Sequence, residues 1–194
     1  MDTSNKKVRE IIQAAERLFY RYGLKKVTVE EICQEGGVSK MTFYKHFRNK
    51  DDLILKMMKA LMNESLEKYG SIMKKEVPYP EKVAEMIRMK LEYANQMSSD
   101  FIREYLEIAN PEILAYLQEQ TMSSIGLLMN DFRKAADEGS LRKDIKPEFI
   151  IYFINHLSEM LKDPRLMSLY GEPAEAISEV MNFFFYGILS REKK

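Results

Sequence analysis

The sequence predicts an all-α protein, and three observations lead to that prediction. Apolar residues recur at intervals of three and four along most of the 194 residues, the period of a helix that buries one face. The strict apolar–polar alternation that a half-buried strand requires is not found in any segment. The eight glycines and six prolines fall between the periodic segments, where they end one helix or begin the next.

The first two predicted helices are delimited by a glycine and by a capping box. Apolar residues of Val8–Tyr22 share one stripe, and Gly23 follows as a left-handed cap. Thr28 then stands at an N-cap position with Glu31 three residues later, so that each side chain can bond the backbone of the other. This short second helix stops at Gly36-Gly37.

The third and fourth helices follow at once. Ser39 caps the third, in which Phe43 and Phe47 are four residues apart and share a buried face. Asn49 begins the fourth, and its first turn carries Asp51-Asp52, where the helix dipole favours negative charge.

Prolines mark the starts of several later helices. Proline is tolerated there because the N–H that it lacks would have no partner within the first turn of a helix. The predicted segments are one from Pro80, a short one at Asp100–Ala109, one from Pro111 to Gly139, one from Pro147 and a last one at about Ala174–Arg191, after a break at Asp163-Pro164 and Gly171–Pro173.

Several classes of function are excluded by composition. One cysteine and two widely separated histidines make a metal centre improbable, and no phosphate-binding glycine loop or nucleophile-elbow pattern is present, so we expect no metal, no cofactor and no enzyme. The longest uncharged apolar stretch is eleven residues, against about 20 needed to cross a bilayer. The start, MDTSNKK, lacks the apolar core of a signal peptide. We therefore expect a cytoplasmic protein without membrane association.

The charge distribution suggests where a polyanion would bind. The chain has no net charge, but residues 1–56 contain 12 lysines and arginines against 8 aspartates and glutamates. Such asymmetry favours a polyanion-binding N-terminal part on an acidic body.

The third helix carries donors on its outward positions. The second and third helices with Gly36-Gly37-Val38 between them form a helix-turn-helix pattern, whose alternative is a merely structural corner. A helix in the DNA major groove needs donors for phosphate oxygens and no carboxylate to repel them. The outward residues meet that need: Ser39, Lys40, Thr42, Tyr44, Lys45 and His46.

Residues of about 7–60, and above all TVEEICQEGGVSKMTFYKHFRNKDDLI (Thr28–Ile54), resemble the DNA-binding domain of the TetR family of transcriptional regulators. The shared features include LFYRYG at the end of the first helix, Gly37-Val38-Ser39, FYKHF and Asn49-Lys50. Met41 departs from the family, which often has glycine or another small residue there. The resemblance implies a helix-turn-helix three-helix DNA-binding domain at residues 1–50 and a larger helical ligand-binding and dimerisation domain at residues 51–194. Repression is the family's usual mode, although the sequence does not separate a repressor from an activator.

The resemblance also implies two sets of contacts with a double-stranded DNA operator. Phosphate contacts would come from Thr28, Ser39, Thr42, Tyr44, His46 and Lys50, and the residues nearest the base edges would be Lys40, Met41 and Lys45. The chemistry agrees in part, since lysine can donate to guanine whereas methionine offers only apolar contact. For each residue the alternative is that it is exposed to solvent without contacting DNA. Lys45 could equally contact a phosphate.

A palindromic operator requires a homodimer, because useful affinity needs two recognition helices about 34–36 Å apart. The final helix is apolar on more than one face, and the core of a single subunit cannot easily bury all of these residues. The resemblance implies an interface made by the last two helices of each subunit, and the alternative is a fully buried core helix. The predicted interface residues are Phe153, Leu157, Met181, Phe184, Phe185 and Ile188.

For the C-terminal part, the resemblance implies a ligand-binding domain, and we expect a small, largely apolar effector. Its many methionines and aromatic residues suit an apolar pocket, and they suit an ordinary core equally well. The candidate contacts are polar or aromatic residues among apolar neighbours: Arg88, Glu92, Arg103, Tyr116, Tyr152, Asn155 and His156. His156 has the alternative of a satisfied core or interface histidine.

Two other hypotheses of control stay open at this point. The regulator could respond to a protein partner without any small ligand. Cys33 could act as a redox switch, although its place beside Ile32 on the buried side of a short helix favours inert packing.

Overall fold

The computed structural model of the chain describes residues 6–142, 144–161 and 163–189. Within these residues the chain consists of helices and one isolated bridge between Leu141 and Leu189, so the all-α prediction is confirmed. The helices are α1 (Lys6–Tyr22), α2 (Val29–Glu35), α3 (Lys40–His46), α4 (Lys50–Met73), α5 (Tyr79–Asn95), α6 (Ser99–Leu106), α7 (Pro111–Asp137), α8 (Pro147–Met160), α9 (Pro164–Met167) and α10 (Pro173–Ile188).

The caps around α2 and α3 have the predicted geometry. Thr28 and Glu31 form a complete capping box at the start of α2. Ser39 accepts the amide N–H of Thr42 at the start of α3. Gly37 turns the chain between the two helices with a φ of 60°, a value that other residues rarely adopt. These local hydrogen bonds fix where the two short helices begin.

The later helices differ from the prediction in two places. A short helix, α9, lies in the segment that was predicted as a break, where Asp163 caps it with a hydrogen bond to the amide of Arg165. The last helix begins at Pro173, and residues 190–191 of its predicted span lie outside the described residues.

Contacts divide the chain into two units. Unit 1 comprises the chain up to Glu67 together with Gln96–Leu114, and unit 2 comprises Lys68–Asn95 and the chain from Ala115 onward. The division after Glu67 falls within α4. The domain boundary predicted after residue 50 stays a prediction, whereas by contacts the first part of α4 groups with α1–α3.

The core of unit 1 is built from α1–α4. Phe19, Phe43 and Phe47 are among the largest fully buried side chains, together with Leu53 and Met57 from the first two turns of α4. Burial of these two α4 side chains anchors that helix to the N-terminal helices at about 1.5–3 kcal/mol for each.

Unit 1 also contains α6, which packs against α1 and the loop after it. The Ser98 N–H donates to the Tyr20 carbonyl at 2.7 Å. Lys26 forms a 2.7 Å ion pair with Asp100, and the Lys25 N–H donates to the Glu104 carboxylate at 2.8 Å. These contacts join α6 to the end of α1.

Unit 2 has its own apolar core, to which α4, α5, α7, α8 and α10 contribute. Phe132 of α7 and Phe153 of α8 both pack on Phe184 of α10, with ring centroids 6.3 and 5.5 Å apart. Tyr69 of α4 donates to Asp131 of α7 at 2.5 Å. Among the described residues, none of the helices is both long and apolar enough to cross a membrane.

Candidate nucleic-acid interface

Two buried phenylalanines orient α3. Phe43 and Phe47 are fully buried with ring centroids 5.2 Å apart, and they hold one face of this seven-residue helix against unit 1. The remaining positions point away: Met41 is 82% exposed, Tyr44 is 57% exposed and Lys45 is exposed. The predicted base-contacting and phosphate-contacting residues of α3 therefore share one outward surface, which we call the α3 surface (Ser39–His46 without Phe43).

Hydroxyl groups cluster at the start of α3. The Oγ atoms of Ser39 and Thr42 lie 2.9 Å apart, and Ser39 is exposed whereas Thr42 is half-buried. Thr28 is also exposed, but its hydroxyl donates to Glu31 at 2.8 Å. Hydrogen bonds from the Thr28 N–H and hydroxyl lower the pKa of the Glu31 carboxyl, so this cap stays ionised and intact at neutral pH.

Lys40 is the one α3 cation that pairs with a carboxylate in the part of the chain described. Its ammonium donates to Glu30, in the first turn of α2, and both side chains are exposed. The hydrogen bond lowers the pKa of the Glu30 carboxyl and raises that of the Lys40 ammonium. This carboxylate is absent from the α3 sequence pattern and reaches the α3 surface only through α2.

Replacement of Glu30 by glutamine is expected to strengthen duplex binding about three- to tenfold at low salt. The change removes a negative charge near the phosphates and frees Lys40 to neutralise one of them. The plot of the logarithm of the binding constant against the logarithm of the salt concentration should therefore become steeper by about 0.9. Titration of a labelled duplex at several salt concentrations measures both quantities. Glu119→Gln changes the net charge equally but lies on α7 of unit 2, so an equal gain there would contradict the local explanation.

Lys50 is turned toward its own unit. Its Nζ donates to three backbone carbonyls after α1, those of Leu24, Lys25 and Val27, at 2.9, 3.2 and 3.0 Å. The side chain is half-buried and ties this loop to the start of α4. The phosphate contact by Lys50 stays a prediction, and in this structure its ammonium is hydrogen-bonded to backbone carbonyl oxygens.

The corner between α3 and α4 is held by a buried carboxylate. Asp52 accepts the Arg48 N–H and the Lys56 ammonium, each at 2.9 Å, and it is the one buried charged residue among those described. Lys56 donates also to the His46 carbonyl at 2.8 Å. His46, half-buried, is thus fixed through its backbone at the end of α3.

Of the predicted ligand contacts, three lie away from the core of unit 2. Arg88 and Glu92 are exposed on the side of α5 opposite its buried residues, and Arg103 belongs to α6 of unit 1, where it pairs with Asp100 at 3.5 Å. The roles of Arg88, Glu92 and Arg103 as ligand contacts stay predictions.

The four other predicted ligand contacts lie on α7 and α8. Tyr116 is half-buried, and desolvation raises its pKa. Tyr152 and His156 are exposed and stack at 4.2 Å, and Asn155 is exposed beside them. The α8 residues therefore share an outward face rather than the interior of unit 2.

The predicted dimer residues lie mostly toward the core of their own chain. Phe184, Phe185 and Ile188 are buried in unit 2, and Phe153 and Met181 pack against the same core. Leu157 is half-buried. The predicted interface residues stay a prediction, and the exposed aromatic residues of the same two helices are Phe149, Tyr152, Phe183 and Tyr186.

The lone cysteine does not have the surroundings of a reactive thiol. Cys33 is buried in α2, and desolvation raises its pKa. A raised pKa leaves little of the reactive thiolate at neutral pH, which disfavours the redox hypothesis.

Comparisons with known proteins agree with this geometry. The family model described as "Bacterial regulatory proteins, tetR family" matches residues 11–57. The HTH-type transcriptional regulator YhgD of Bacillus subtilis is 24% identical over 144 residues, 73% of this chain and 75% of that protein. The HTH-type transcriptional repressor KstR2 of Rhodococcus jostii is 24% identical over 158 residues, 79% of this chain and 78% of that protein.

A solved structure shares the fold along most of the chain. FadR from Bacillus subtilis superposes with a TM-score of 0.69 at 20% identity, covering 93% of this chain and 98% of that one. Together with the helix-turn-helix of α2 and α3, these matches support a TetR-family DNA-binding transcriptional regulator, with the family model itself covering residues 11–57.

Proposed function

We propose that the chain is a repressor that binds a palindromic operator as a homodimer and is released by a small, largely apolar effector. The DNA-binding part of this proposal rests on the α3 surface. It is rigidly oriented by buried Phe43 and Phe47, and it presents Met41, Tyr44 and Lys45 outward. A short helix held in this way can enter a major groove without rearranging its own unit.

The chemistry of the α3 surface favours a division between phosphate and base contacts. Lys45 is exposed, and its ammonium has no counter-ion within the described ranges. It is free to donate to guanine O6 and N7. The Tyr44 hydroxyl and the hydroxyls of Ser39 and Thr42 suit phosphate oxygens.

The exposed aromatic face of α8 and α10 supports the homodimer. Phe149, Tyr152, Phe183 and Tyr186 leave large apolar surfaces open on two helices that pack together through Phe153 and Phe184. Apolar patches of this kind on a single chain mark interaction sites. A two-fold axis through this face would pair α8 and α10 with their copies, since a two-fold interface uses the same patch twice.

An effector in unit 2 would act by shifting a population of conformations. FadR from Bacillus subtilis was solved in complex with stearoyl-CoA, and KstR2 is a repressor by name, which supports ligand-controlled repression here. A ligand that prefers one arrangement would move α4 and change the spacing of the two α3 helices from the ~34 Å repeat. Typical couplings of this kind are about 1–3 kcal/mol.

Selection of bound duplexes from a random pool tests the DNA-binding half. We expect the wild type to select a palindrome with half-sites one helical turn apart. Lys45→Ala is expected to change the preferred base at one position in each half-site, at a cost of about 1–3 kcal/mol for the original base. Tyr44→Phe is expected to weaken all duplexes alike, because a phosphate contact carries no sequence information.

The control variant is Lys74→Ala, which changes an exposed lysine of unit 2 just after α4 and should select the same site with the same affinity. Sequence-independent binding by the wild type would refute specific regulation. An unchanged base preference in Lys45→Ala would remove Lys45 from the base contacts.

A further inference from the structure

Met41 is the most exposed large apolar residue in the part of the chain that the structure describes. It lies in the first turn of α3 and is 82% exposed, ahead of Leu169 and Phe183 at 76% and 75%. An apolar side chain stabilises a fold through the surface that it removes from water, and Met41 removes little. Its apolar surface is therefore open to a partner of the chain.

Met41 and Lys45 point directly away from the buried face of α3. The direction of the core is marked by Phe43, which is fully buried. Met41 and Lys45 are each two residues from Phe43, and two residues correspond to about 200° around a helix. Thr42 and Tyr44 are one residue from Phe43, so they are turned by about 100° and lie on the flanks. Since Met41 and Lys45 are also four residues apart, they share the outermost stripe of the helix.

The polar neighbours of Met41 have partners within their own unit. The Oγ atoms of Ser39 and Thr42 lie 2.9 Å apart. The Lys40 ammonium donates to the Glu30 carboxylate, which directs this side chain toward α2. In the first turn of α3, the outermost stripe therefore presents a thioether side chain rather than a hydrogen-bond donor.

The major groove of DNA contains one apolar group that such a side chain can contact. Every base pair presents hydrogen-bonding groups there, and thymine adds a methyl group at C5. Methionine is unbranched, with three rotatable bonds and a polarizable sulfur, so it adapts its shape to an apolar partner. Placed against the polar edge of another base, it would leave hydrogen-bonding groups of that base without partners, which is unfavourable.

We propose that Met41 recognises a thymine in each half-site of the operator by packing its side chain on the C5 methyl group. The inference rests on the proposed operator binding and names one base of that operator. Four residues of a helix span about 6 Å, and neighbouring base pairs are about 3.4 Å apart. The thymine therefore lies within about two base pairs of the base that Lys45 contacts.

Replacement of thymine by deoxyuridine, which lacks only the methyl group, tests the proposal in the selected operator duplex. Each thymine of one half-site is replaced together with its symmetric counterpart, and fluorescence anisotropy measures the dissociation constant of the full chain. We expect one thymine, within two base pairs of the Lys45-dependent base, at which the replacement weakens wild-type binding about 15-fold. This value corresponds to about fourfold for each of the two lost methyl contacts.

Three variants assign the effect to Met41. Met41→Ala shortens the side chain to its Cβ and should bind the thymine duplex as weakly as the uracil duplex. Met41→Leu keeps an apolar side chain of similar size and should retain most of the discrimination. Met122→Ala is the matched control, because it removes a methionine of α7 in unit 2 that is 66% exposed, and it should discriminate as the wild type does.

Three results would overturn the role of Met41. They are a selected site without a thymine in the stated range, a wild type that binds the thymine and uracil duplexes equally, and a Met41→Ala variant that still discriminates between them. In each case a wild type that selects a palindrome leaves the proposed function intact. Equal binding of all duplexes by the wild type would instead overturn the proposed function and the inference with it.

Discussion

A Phe183→Glu variant is expected to be monomeric and to lose about 100-fold or more of the wild-type affinity for the selected operator. Phe183 is 75% exposed in the single chain, so the substitution leaves the fold of one subunit unchanged. In the proposed homodimer it would place two carboxylates in an apolar interface, where like charges without partners are strongly unfavourable. Each remaining subunit would read only one half-site.

Light scattering with size-exclusion chromatography measures the oligomeric state, and circular dichroism checks that helicity is retained. The matched control is Met122→Glu, which puts the same charge on an exposed apolar residue of α7. That control should remain dimeric and bind the operator as the wild type does. A Phe183→Glu chain that stays dimeric would place the dimer interface elsewhere.

An Asp52→Asn variant is expected to lose about 1–3 kcal/mol of the free energy of unfolding of unit 1 at pH 7. The carboxylate is 7% exposed and joins the start of α4 to the end of α3 through Lys56. Asparagine keeps the shape but leaves the Lys56 ammonium without its anionic partner. Denaturant unfolding, followed by amide exchange within α3, measures the loss and locates it.

The difference between wild type and Asp52→Asn should depend on pH in a defined direction. Burial tends to raise the pKa of Asp52, but the Arg48 N–H and the Lys56 ammonium outweigh it, and the pKa lies below its ordinary value. The stabilisation is therefore complete above the unfolded value of about 3.9 and is lost as the pH falls through the lower folded pKa.

Two results would contradict this account of Asp52. One is a stability difference that persists unchanged down to the lowest pH at which the wild type is folded. The other is an equal loss in Asp51→Asn, because Asp51 is the exposed neighbour, whose carboxylate accepts the Asn110 side-chain amide at 3.0 Å. For an exposed carboxylate of this kind we expect a change of about 0–1 kcal/mol.

The inward and outward faces of α8 and α10 could not be told apart from the sequence, for one physical reason. The sequence FFFY of α10 is apolar in every direction, so its periodicity does not tell which side meets the core. Packing decides it: Phe184 stacks on Phe153 and becomes buried, which turns Phe183 outward.

Lys50 and Glu30 illustrate contacts that no local pattern contains. Lys50 reaches carbonyls more than twenty residues earlier in the chain, and Glu30 meets Lys40 only because the turn at Gly37 brings α2 beside α3. Segment Gln96–Leu114 likewise groups with unit 1 through Ser98, Asp100 and Glu104, whose partners lie more than seventy residues away.

The amino-acid sequence alone determined the helical class, the caps at Thr28 and Ser39, the turn between α2 and α3 and the outward residues of α3. Those features depend on hydrogen bonds and residue spacings within a few residues, so the local sequence is sufficient to predict them. Only the tertiary structure decided which faces of α8 and α10 turn inward and which charges meet across the fold. Such choices depend on neighbours that are distant in the chain, and only their packing reveals them.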